Sequence, residues 1–241
     1  MILRIIVLLA AVQQPIVAAM SGMGDLAAGA APAYPTYIQP ASWAFSIWGF
    51  IYLASIAFAI YQVIPKNDNQ LLRAVRIPAL IAFLGSSLWL YFAASVSWTI
   101  WLTIPTLIVM AGALAYIVAQ PALPAATPQL FSYNTLLPYA AWTGIAQWLN
   151  VVALMNAQNV ISTGAQNTAL NVFFLLCIAG YTIYWLRRAQ YSIWYGGVII
   201  WASIGVIAAN TGSPEGSIII TTMAGALGLA AMALIRQNAG G

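Results

Sequence analysis

Eight stretches of mostly apolar residues, separated by short polar or proline-rich connectors, constrain this chain more than any other feature. Each is about twenty residues long, the length a helix needs to cross a hydrocarbon core of about 30 Å. Lipid offers no partner to a backbone N–H or C=O, so only helices and closed barrels can span it. Barrel strands would read as alternating segments of about ten residues, about half the length of these runs. The rest of the composition agrees. Of 241 residues, 63% are hydrophobic and 4% charged, whereas a soluble domain carries about 25% charge. Disorder requires low hydrophobicity and is excluded. The fold class read here is all-α: a polytopic integral membrane bundle with eight transmembrane helices.

The segments run from Ile2 to Met20, Ala41 to Ile64, Arg76 to Ser95, Ile100 to Ala119, Leu136 to Ala157, Asn167 to Leu186, Ser192 to Ala209 and Ser217 to Ile235. Breakers such as Pro32, Pro35, Pro65, Pro121, Pro128 and Pro214 fall between them. Charge tests the count. With eight crossings, one side holds the N-terminus, three alternate loops and the C-terminus. Arg4, Lys66, Arg73, Arg76, Arg187, Arg188 and Arg236 all fall there, while Asp25 and Glu215 fall opposite. The positive-inside rule makes the first side cytoplasmic. The setting expected is a bacterial plasma (inner) membrane or an internal membrane. The first segment also reads as a signal peptide, but no crisp small-residue cleavage site closes it and Gln13, Gln14 and Pro15 interrupt it. It is therefore read as a retained span, kinked at Pro15. Val96 to Thr99 forms a tight turn between spans three and four. The 21–39 loop is either a lid over a cavity or a plain connector.

Chemistry-bearing residues are few. There is no histidine and one cysteine, Cys177, so no catalytic residue, metal site or enzyme is expected. The net charge of +4 is too scattered for nucleic acid. No ionisable group lies deep in a span, which lowers ion-coupled transport. Interfacial belts account for most of the ten tryptophans, including Trp98, Trp101, Trp185 and Trp194. Span two differs: Phe45, Trp48 and Tyr52 recur at helical spacing and share a face. Span five carries Tyr139, Trp142, Gln147 and Asn150. Its amides either bond between helices or line an aromatic cavity suited to a flat, largely apolar ligand. Asn171 suits a helix–helix contact. Gly225 and Gly228 in span eight suggest close packing, read as internal rather than between subunits.

Three stretches carry a resemblance. Pro40, Trp43, Phe45, Trp48 and Tyr52 enter the second helix; Ser86, Trp89 and Phe92 lie in the third; Pro138, Tyr139, Ala141, Trp142 and Asn150 lie in the fifth. In this order and on these helices they resemble the translocator protein family, also called tryptophan-rich sensory or peripheral benzodiazepine receptor-like proteins. The likeness covers roughly residues 1–157. Ser86 stands where the family usually has asparagine, and Ala41 replaces one of two prolines. The resemblance implies a five-helix translocator-protein-like bundle over 1–157, with three additional transmembrane helices over 158–241. It also implies a cavity for tetrapyrroles or sterols, with Trp48 and Trp142 facing it and Tyr52, Tyr139 and Asn150 near it. Phe45, Trp89 and Gln147 complete the candidate ligand site.

Two functional readings follow. In one, the protein binds, senses or transports a flat apolar molecule such as a porphyrin or other tetrapyrrole, or a sterol-like ligand. In the other, it is a structural or accessory subunit of a larger membrane complex. Membrane lipids are partners in both, and the family's habit of pairing makes a homodimer an expectation.

Overall fold

The computed structural model describes residues 1–21, 36–93, 101–120, 133–158, 168–212 and 215–239. Eight helices lie in these residues, one for each expected segment: α1 (Ile2–Met20), α2 (Ile47–Val63), α3 (Gln70–Ala93), α4 (Thr103–Val118), α5 (Leu137–Ala157), α6 (Thr168–Arg188), α7 (Ile193–Asn210) and α8 (Glu215–Ala239). Among the described residues six helical stretches are long and apolar enough to cross a membrane, α2 together with the 3-10 turn before it. Helix α4 is apolar but only 16 residues long, about 24 Å at 1.5 Å per residue. Helix α5 is diluted by Thr143, Gln147 and Asn150. The protein is thus an all-helical membrane bundle. The lid reading of the 21–39 loop, Trp98, the Val96–Thr99 turn and Asp25 fall largely or wholly outside the described residues.

The starts of α2 and α3 moved furthest. Helix α3 starts at Gln70 rather than Arg76, because Asn69 caps it: its Oδ1 accepts from the Leu72 N–H at 3.0 Å. Arg73 therefore lies in the helix, ahead of the Arg76 start that the apolar run gives. Helix α2 begins as a 3-10 turn, Ser42–Ser46, before becoming α at Ile47.

The chain forms two compact units, one of Met1–Met23 with Ile47–Thr143, the other of Gly24–Ser46 with Gly144–Gly241. In the first, α1 packs on α2 and α3, and α3 on α4. Val7, Ala10, Ala11, Gln14 and Ala18 form the buried stripe of α1 at helical spacing. Close approach of α3 and α4 depends on Gly85, where a Cβ would run into Met110.

In the second unit α8 packs on α7 and α6. A Cβ on Gly228 would lie 3.2 Å from that of Ser203, so this glycine serves internal packing. Gly196 of α7 similarly fits against Ile235 and Leu186. Residues 37–44 are tied to the same helices. The Ala41 N–H donates to the Gly205 carbonyl at 2.9 Å, the Trp201 indole N–H to the Ala44 carbonyl at 2.8 Å, and the Asn210 amide to the Tyr37 carbonyl at 2.8 Å. Asn171 of α6 accepts from the Ile38 N–H at 3.4 Å.

Candidate aromatic site

The first unit gathers aromatic rings from three helices. Trp48 and Tyr52 are four residues apart on α2 and stack at 5.5 Å. Trp89 of α3 stacks on Trp48 at 5.8 Å, and Tyr139 of α5 meets it edge-on at 5.8 Å. Phe83 stacks on Tyr139 at 6.1 Å, and Phe58 meets Phe83 edge-on. The offset and perpendicular arrangements follow the ring quadrupoles. Trp48, Tyr52, Trp89 and Tyr139 are all buried, as is Trp142, three residues beyond Tyr139.

Polar groups are set into this apolar surface. The Tyr139 hydroxyl lies 2.9 Å from Gln14 Oε1 and 3.0 Å from the Ala82 carbonyl; its single proton serves one at a time. The Ser86 hydroxyl faces both Tyr52 and Tyr139. Gln13 donates to the Ser87 hydroxyl at 2.7 Å. The Trp48 indole N–H is buried and has no partner among the described residues.

Phe45, Gln147 and Asn150 belong to the second unit. Phe45 sits in the 3-10 turn ahead of α2. Gln147 faces the Tyr181 hydroxyl, and Asn150 donates to the Ala146 carbonyl at 2.9 Å. Close by, Trp148 lies against Phe174 and Tyr181, and Tyr181 packs where a Cβ on Gly144 would be. Gln14, Phe83 and Phe58 were missed from sequence. A polar residue inside an apolar run must find a partner, and that signal pointed to Gln14 without naming Tyr139.

Among the described residues no group of three His, Cys, Asp or Glu could hold a metal. Helices, buried aromatics and near absence of charge define a polytopic membrane protein with an aromatic interior. The chain belongs to the TSPO-like protein family, whose sequence profile matches residues 1–235. That match runs through the three C-terminal helices as well as the five over which the resemblance extends. No curated protein matches the chain, and no solved structure does.

Proposed function

We propose that the protein binds a flat, largely apolar molecule, tetrapyrrole-like or sterol-like, by non-covalent contact with the first unit, in order to carry or sense it. Trp48 is the observation that carries this reading. Its indole N–H is buried without a partner among the described residues, although buried donors are almost always bonded. A ligand acceptor would satisfy it. Tyr52, Trp89, Tyr139 and Trp142 supply flat apolar area, and the Ser86 and tyrosine hydroxyls can orient a polar edge. Because Trp48 is already stacked by Tyr52 and Trp89, a flat ligand would enter by moving one of those rings. The mechanism involves no covalent step. The expected setting is a bacterial plasma (inner) or internal membrane with both termini cytoplasmic.

The test is a titration of purified protein with a metal-free porphyrin, followed by its absorbance band rather than by emission shared among ten tryptophans. A saturable red shift is expected. Trp48→Phe, which removes the N–H, should weaken binding roughly tenfold, the loss of about one hydrogen bond. Trp194→Phe, at an exposed position, should not. A saturable shift that is the same in Trp48→Phe would refute the site. No shift with porphyrin, together with co-migration in a large complex on native gels, would favour the accessory-subunit reading.

A further inference from the structure

At one end of the first unit, three guanidiniums converge on one carboxylate. Arg4 of α1 reaches Asp68 Oδ2 at 2.8 Å, Arg73 reaches the same oxygen at 2.9 Å, and Arg76 reaches Oδ1 at 2.6 Å. Arg76 Nε also donates to Gln62 Oε1 at 3.0 Å, and Gln62 Nε2 donates to the Arg4 carbonyl at 2.8 Å. The Arg4 and Arg76 side chains are 14% and 8% exposed, whereas Arg73 is 67% exposed. Exposed Lys66 lies two residues from Asp68.

The charges do not balance. Asp68 can neutralise one of the three guanidiniums, and it is the single carboxylate among the described residues of this unit. Two guanidiniums are nevertheless largely withdrawn from solvent. Buried charge needs a counter-charge, so the surplus calls for an anion from outside the chain. The cluster sits where α1, α2 and α3 end, the depth at which apolar helices meet lipid headgroups. Arginine's planar fork matches phosphate oxygens in pairs.

We infer that Arg4, Arg73 and Arg76 form a phosphate-anion site, with Asp68 holding the guanidiniums in place, and that its occupant is an anionic phospholipid headgroup. Arg73 is the outer jaw: it is exposed and bonds Asp68 through Nε and one terminal nitrogen, leaving the other for a second anion. Arg4 and Arg76 form the floor.

Thermal unfolding in neutral detergent, paired with native mass spectrometry, tests the site. Three additions are compared at matched ionic strength: phosphatidylglycerol, phosphatidylcholine and inorganic pyrophosphate. Wild type should be stabilised by phosphatidylglycerol well above phosphatidylcholine and retain a bound anionic lipid. Arg73→Gln, at an exposed position, should bind it roughly tenfold more weakly, the loss of about one charge-assisted contact. Arg188→Gln, an equal charge loss in the other unit, should change little. Stabilisation by pyrophosphate as well, lost in Arg73→Gln, would support the phosphate site and identify a soluble anion as a second source. Equal effects of the two lipids, or equal losses in the two variants, would overturn the inference.

Discussion

Gln14 solves a problem that its neighbour creates. Pro15 has no N–H, so the Ala11 carbonyl one turn earlier loses its helical donor. The Gln14 amide turns back to that carbonyl at 3.4 Å, while its oxygen faces the Tyr139 hydroxyl. Gln14→Leu should therefore destabilise by roughly 1–3 kcal/mol, and Tyr139→Phe by a similar amount, since each leaves a buried group unsatisfied. Chemical unfolding in mixed micelles measures both. The double variant should cost less than the sum of the singles, because the two side chains form one network; strict additivity would mean that they act separately. Asp68 sets a different dependence. Hydrogen bonds from Arg76 and then Arg73, with the charges of Arg76 and Arg4, hold its carboxyl at about 2 against an ordinary 3.8. A depressed pKa means the unfolded chain takes up the proton first. The associated stability is present above pH 3.8 and is lost as pH falls through about 2. Melting curves of wild type should fall across that window, while those of Asp68→Asn should lack this component.

At the scale of the element, close packing rests on particular glycines with different neighbours. A Cβ on Gly85 of α3 meets Met110, an unbranched side chain that can shift; one on Gly205 of α7 meets the Pro40 and Ala44 Cβ atoms at 2.8 and 3.0 Å, which cannot. Gly85→Ala should thus cost about 1–3 kcal/mol, the usual range for overpacking, and Met110→Ala should recover part of it. Gly205→Ala should cost more and gain nothing from that second change. The same unfolding assay ranks them; the reverse order would show that 40–44 yields more readily than α4. Such pairings explain what was legible in sequence. Helix number and type follow from run length alone, and Trp48 with Tyr52 follows from spacing along one helix. The start of α3 was hidden because Gln70 and Arg73 interrupt the apolar run ahead of Arg76. Trp89 came through resemblance, and Tyr139 was singled out on span five without its pairing to Trp48, since rings on different helices have no spacing to read. Gln14 with Tyr139, 125 residues apart, leaves even less trace: the sequence says a partner must exist, and packing chooses which.

Topology belongs to the whole molecule, and the two units bear on it separately. In the first, Asp68 joins Arg4 at the start of α1 to Arg73 and Arg76 at the start of α3. In the second, Gly196 brings the start of α7 against Leu186 and Ile235, next to Arg187 and Arg236. Each unit therefore gathers cations at one end, as alternating crossings require, and the positive-inside rule predicts that both termini are cytoplasmic. A fluorescent C-terminal fusion alone would be a weak test. If the short α4 and the polar α5 both failed to cross, six crossings would remain and the termini would still share a side. Only the α4–α5 connector would change sides. Single cysteines placed in a Cys177→Ala background separate the cases. Thr211→Cys, exposed after α7, should react with a membrane-impermeant maleimide in intact cells, and exposed Ala119→Cys, after α4, should react only after lysis. Labelling of Ala119→Cys without lysis, with Thr211→Cys unchanged, would reduce the count to six and make α4 and α5 a hairpin that does not cross. Tyr139 and Trp142 would then belong to a site open to the non-cytoplasmic side.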